Sequence, residues 1–106
     1  MIERTLQTII ENDMFRGKAI IVIGARQVGK STLFKMVLEK RSEKILRLNC
    51  DEPEVRIMLT EAGVSDLKLI IGQSRIVMID EAQSVPGIGM TLKRLIDNFP
   101  EVQLLV

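Results

Sequence analysis

Residues 19–32 read Ala-Ile-Ile-Val-Ile-Gly-Ala-Arg-Gln-Val-Gly-Lys-Ser-Thr, and the fold turns on this stretch. Ala19 to Ile23 is an unbroken apolar, mostly β-branched run, the pattern of a strand buried on both faces. Gly24 ends it. From Lys30 to Lys40 the apolar residues Leu33, Phe34, Val37 and Leu38 form one stripe at helical spacing. Between strand and helix, Gly24, Ala25, Arg26, Gln27, Val28, Gly29, Lys30 and Ser31 complete the pattern G-x-x-x-x-G-K-[ST]. By average composition, a chance match in so short a chain is on the order of a few per thousand. The strand before it and the helix after it are the context in which the pattern has chemical meaning.

That chemistry is phosphate binding. Gly24 lets the chain leave the strand with unusual dihedrals, and Gly29 lets the backbone approach a phosphate closely. The N–H groups of Val28 to Thr32 are expected to point at the anion, reinforced by the helix N-terminus. Lys30 is expected to reach the β- and γ-phosphates, and the Ser31 hydroxyl to coordinate Mg²⁺. Thr32 can offer its N–H and hydroxyl to the α-phosphate. Arg26 reads as solvent-facing, with a phosphate or a neighbouring subunit as its alternatives.

Outward from this loop, helices alternate with strands. Residues 2–14 place Ile2, Leu6, Ile9, Ile10 and Met14 near helical spacing. Ile45, Leu46 and Leu48 form a short second strand, residues 75–79 a third, and Val102–Val106 a fourth. Two weaker helices are expected around residues 54–60 and 66–71, the second capped by Ser65. Pro86, Gly87 and Gly89 mark a loop, and Met90–Asn98 carries the stripe Leu92, Leu95, Ile96 and Phe99. Apolar strands alternating with helices predict an α/β fold with a parallel sheet covered on both faces.

The third strand ends in Asp80 and Glu81. A parallel sheet delivers such residues to its C-terminal edge, where open α/β sheets bind ligands. Asp80 is expected to hold Mg²⁺ opposite Ser31, through water, and Glu81 to polarise a water for attack on the γ-phosphate. Phosphotransferases must keep water off that phosphate, so Glu81 favours hydrolysis.

Composition excludes several classes. Lys plus Arg is 15 against 14 Asp plus Glu, so no global charge points to nucleic acid or membrane. No apolar run approaches the ~18 residues of a transmembrane helix. The one cysteine, Cys50, rules out an intrachain disulfide and reads as a buried, idle thiol in a cytoplasmic protein. The chain has no histidine, which excludes a Cys/His metal cluster. Phe is the only aromatic type, which disfavours a base-stacking surface. The apolar end Val102-Gln103-Leu104-Leu105-Val106 reads as an interrupted strand, so the chain is expected to be a piece of a longer polypeptide.

The stretches GARQVGKSTL, LNCDEPEVR and IVMIDEAQSVPGIGMTLKRLIDNFPEVQLLV resemble the prokaryotic AAA-type ATPases of the P-loop superfamily in which a domain of unknown function follows the ATPase module. The resemblance covers essentially the whole chain. It implies a P-loop NTPase three-layer sandwich with sheet order 5-1-4-3-2, strand 5 missing. Residues 1–106 are then the N-terminal part of the ATPase domain, truncated after the fourth strand. Lys30 and Ser31 match the Walker A motif, and Asp80 and Glu81 the Walker B motif. Gln83 matches a family-typical position with no role assigned by residue chemistry. ATP and Mg²⁺ are the implied ligands, and a homo-oligomer is implied for the complete protein. The sensor residue, arginine finger and C-terminal domain fall beyond Val106, so impaired hydrolysis is expected of this chain. Any nucleic-acid contact is left to that later region.

The inherited order also leaves residues 19–23 at an open edge, and self-association through it is expected. The leading functional reading is Mg²⁺-dependent ATP hydrolysis. The alternatives are a small-molecule phosphotransferase and a nucleotide-gated interaction module that does not hydrolyse.

Overall fold

The computed structural model describes residues 2–16, 19–21 and 27–106, with the backbone alone given for the helical residues 2–6 and 27–31. Helix α1 spans Ile2–Asp13 and α2 spans Gln27–Leu38. Strand β1 (Ile45–Asn49) leads into the short helices α3 (Pro53–Leu59) and α4 (Val64–Ile71). Strand β2 (Ile76–Asp80), a 3-10 turn at Ala82–Ser84, helix α5 (Ile88–Asn98) and strand β3 (Gln103–Leu105) complete the order.

The three strands form one parallel sheet in the order β1-β2-β3. Ile20 adds a parallel bridge to Leu105, donating its N–H to Leu104 O at 2.9 Å and accepting from Val106 N–H at 2.9 Å. Numbered along the sequence, the strands lie in the order 1-4-3-2, as the resemblance implied. Among the described residues the expected strand 19–23 is this single bridge; Val22 and Ile23 lie outside them.

Alternation along β2 builds the three layers. Ile76 and Met78 join Leu105, Ile20 and Ile45 beneath α1 and α2, where Ile10, Met14, Leu33, Phe34, Val37 and Leu38 complete the cluster. Val77 and Ile79 turn the other way, with Leu48, Leu104 and Val106, towards Val55, Leu59, Leu67, Ile71 and Leu95. A fully buried aliphatic side chain contributes roughly 1.5–3 kcal/mol, against roughly 1 kcal/mol net for a ladder hydrogen bond. Two-sided burial therefore fixes the place of β2 more strongly than its hydrogen bonds do.

Local chemistry sets the helix ends. Pro53 occupies the first turn of α3, where its missing N–H costs nothing. Ser65 does not cap α4. Gly63 stands at the N-cap, its N–H donating to the Asp66 carboxylate at 3.0 Å, which makes Ser65 the second residue of the helix. Helix α5 begins after Gly87, whose φ of 69° favours glycine, and Gly89 lies within the helix rather than in a loop.

Two stripe residues face solvent instead of the core. Ile9 is 50% exposed and Ile96 40% exposed. Helix α1 meets the rest of the chain along the line of Ile10 and Met14, and Ile9 sits 100° round from it. On α5, buried Thr91 and Leu95 hold the inner face. Among the described residues no helix is long and apolar enough to cross a membrane.

Candidate functional site

Strand β2 carries Asp80 to the C-terminal edge of the sheet, directly beside Asn49 at the end of β1. The pairing runs one step further, with Cys50 N–H donating to Asp80 O at 2.9 Å. Asn49 then turns the chain away, its Oδ1 accepting Asp51 N–H at 3.0 Å. Arg56, from the first turns of α3, closes this corner. Its Nη1 donates to Cys50 O at 2.9 Å and to Asp51 O at 2.8 Å. Sequence reasoning missed Asn49 and Arg56 as parts of this edge. The signal for Asn49 was its position after an apolar run, whereas nothing local marks Arg56.

After Asp80 the backbone bends sharply. Glu81 adopts a left-handed conformation, φ 56° and ψ 41°. For a residue with a Cβ this costs roughly 1–2 kcal/mol, so the surrounding structure must hold it there. Two apolar anchors do so. Ala82 and Val85 are buried in the core below, at 7% and 2% exposure. Ser84 N–H donates to Glu81 O at 3.0 Å and Val85 N–H to Ala82 O at 3.0 Å, winding the turn between them. With the apolar residues held below, Glu81 and Gln83 stay towards solvent. Gln83 Nε2 donates to Glu81 Oε1 at 2.8 Å.

Cys50 lies wholly buried beneath this edge. Burial pushes its thiol up to about 11, with the Asp80 and Asp51 carboxylates adding to the rise and Arg56 opposing it. A thiol so held stays protonated at neutral pH, which lowers its reactivity.

The glycine-rich motif is described only in part. Gly24, Ala25 and Arg26 lie outside the described residues. Gln27, Val28, Gly29, Lys30 and Ser31 form the opening of α2, so the helix begins three residues before Lys30, the expected start. Thr32 is exposed. Ile20 pairs in parallel with β3, and β3 with β2, so the chain at Ile20 has the same direction as the strand that ends in Asp80.

A scan against protein-family models matches residues 16–106 to the AAA domain. The chain belongs to the AAA domain family. The match takes in the glycine-rich motif, Asp80, Glu81 and all three strands, so this AAA domain is a nucleotide-binding module of the ATPase type. Comparison with curated proteins and with solved structures returns no significant match.

Among the described residues no group of three or more Asp, Glu, Cys or His could cage an ion. Mg²⁺ keeps most of its waters and takes one or two protein oxygens plus phosphate oxygens, a demand that a strand-end carboxylate such as Asp80 meets.

Proposed function

We propose that the AAA domain binds Mg²⁺-ATP at the edge where β2 ends and hydrolyses its γ-phosphate. Lys30 and the N–H groups of Val28 to Thr32 hold the phosphates, and Ser31 and Asp80 hold the ion. When bound, Mg²⁺ would neutralise charge on the β- and γ-phosphates. Glu81 orients a water and accepts its proton as the water oxygen bonds to the γ-phosphorus. The bond from that phosphorus to the bridging oxygen breaks, and the electron pair leaves with ADP.

One observation carries the reading. Asp80 closes the central strand of the parallel sheet, and Glu81 follows in a strained turn whose apolar residues are locked into the core. Strained backbone of this kind clusters at functional sites, which supports the reading, although Phe15 and Glu61 hold the same sign of φ away from this edge.

The test is a titration with Mg²⁺ and a fluorescent ATP analogue, followed by single-turnover phosphate release with protein in excess. Lys30→Ala is expected to weaken binding about ten- to hundredfold, through loss of charge-assisted hydrogen bonds. Glu81→Gln is expected to keep binding and to slow release by about 10²-fold or more. Unchanged binding in Lys30→Ala, or unchanged release in Glu81→Gln, would sink the proposal.

A further inference from the structure

We propose that Gln83 is the positioning residue for Glu81, holding its carboxylate in the orientation that polarises the attacking water. The inference rests on the hydrolysis reading above and adds to it a residue that acts on the base rather than on the nucleotide.

The geometry carries it. A glutamate side chain has three rotatable bonds, and one that is only half buried samples many rotamers. Glu81 is fixed at the backbone by its left-handed turn, but that leaves its carboxylate free to swing. The 3-10 turn Ala82–Ser84 brings Gln83 back towards the same solvent side, and its Nε2 meets Oε1 at 2.8 Å. The contact occupies one carboxylate oxygen and leaves Oε2 to take a hydrogen bond from water. An amide suits this task because it donates without a charge of its own. A lysine there would compete for the phosphates, and a carboxylate would repel Glu81. Ordering the base before the substrate arrives removes an entropic cost from the chemical step.

The spacing also separates this role from a structural one. Gln83 is exposed, and its backbone turn is held by Ala82 and Val85, not by its own amide. Truncating it removes the contact to Glu81 without touching the core.

The experiment measures single-turnover phosphate release and ATP affinity for the wild type, Gln83→Ala, Gln83→Glu, Glu81→Gln and the double variant Glu81→Gln/Gln83→Ala. Gln83→Ala is expected to slow release roughly tenfold, the worth of one hydrogen bond to a charged group, and Gln83→Glu at least as much. Affinity for ATP should change less than twofold and the melting temperature hardly at all. In the Glu81→Gln background, Gln83→Ala should cause no further loss. An unchanged or faster rate in Gln83→Ala overturns the proposal, as does the same fold-loss in both backgrounds. If Glu81→Gln abolishes release and Gln83→Ala does not affect it, only the role of Gln83 fails. If Glu81→Gln releases phosphate like the wild type, or the wild type binds ATP and never releases phosphate, the hydrolysis reading fails and this inference falls with it.

Discussion

Gln103 Oε1 accepts the backbone N–H of Phe15 across eighty-eight residues of sequence, while Gln103 Nε2 donates to Leu104 O at 3.0 Å. The side chain is 2% exposed, so both ends of a buried amide are satisfied. Phe15 is itself left-handed, φ 59°, and its ring lies under the Arg41 guanidinium at 5.0 Å and that of Arg75 at 5.7 Å. This clamp ties the end of α1 to the start of β3, at the sheet edge opposite Asp80.

Gln103→Leu keeps the bulk and removes these two hydrogen bonds. A loss of about 1–3 kcal/mol is expected, because the Phe15 N–H loses its acceptor in a partly buried place. Urea denaturation followed by far-UV circular dichroism would measure it, and a midpoint equal to the wild type would show the clamp to be idle.

Thr91 forms the matching link on the other face. Its Oγ1 donates to Leu59 O at 3.0 Å from a side chain 1% exposed, joining α5 to the end of α3. In Thr91→Val the shape is kept, and the Leu59 carbonyl retains only the longer 3.4 Å bond from Ala62 N–H. The variant should lose about 1–2 kcal/mol in the same denaturation assay. A Val variant as stable as the wild type would mean that packing alone joins these helices.

Cys50 gives a pH dependence of known sign. Burial first, then Asp80 and Asp51, raise its thiol from 9.0 to about 11. The folded chain therefore holds its proton where the unfolded chain has lost it. The stability due to Cys50 is complete below about pH 9 and is lost as pH rises towards 11. Melting curves at pH 8 and pH 10.5 should differ less in Cys50→Ala than in the wild type, once the cost of the smaller side chain is subtracted. An equal drop in both would contradict this.

Ile20 is hydrogen-bonded to Leu104 and Val106 on one side, and Ile21 beside it is 51% exposed. An exposed apolar edge is a template for pairing with another chain. Sedimentation of the chain should show concentration-dependent association that Ile21→Lys suppresses and Leu69→Lys, on the outer face of α4, does not. Association insensitive to Ile21→Lys would place the contact elsewhere.

The α/β class and most helix and strand positions are legible along the chain, because each depends on neighbours within a few residues. The two-sided strand 75–79 and the buried stripe Leu33, Phe34, Val37 and Leu38 are examples. The cap of α4 is less legible. Gly63, Ser65 and Asp66 all carry capping signals, and only the backbone path shows that Asp66 reaches back to Gly63. The exposure of Ile9 and Ile96 was equally hidden, since periodicity finds an apolar face but not how much of it a partner covers.

What the sequence by itself determined is which residue types stand where: a glycine-rich motif before a helix, and Asp80 and Glu81 at the end of a buried strand. Those are local patterns, and side-chain type with short-range periodicity dictates them. What only the tertiary structure decided is which distant groups meet. Asn49 lies beside Asp80, Gln103 clamps Phe15, and Thr91 reaches Leu59 because sheet register and helix packing bring them together. Even Gln83, two residues from Glu81, needed the left-handed turn and the burial of Ala82 and Val85 before its amide could meet the carboxylate. Burial of Ala82 and Val85 in a core built from distant elements holds that strained turn in place.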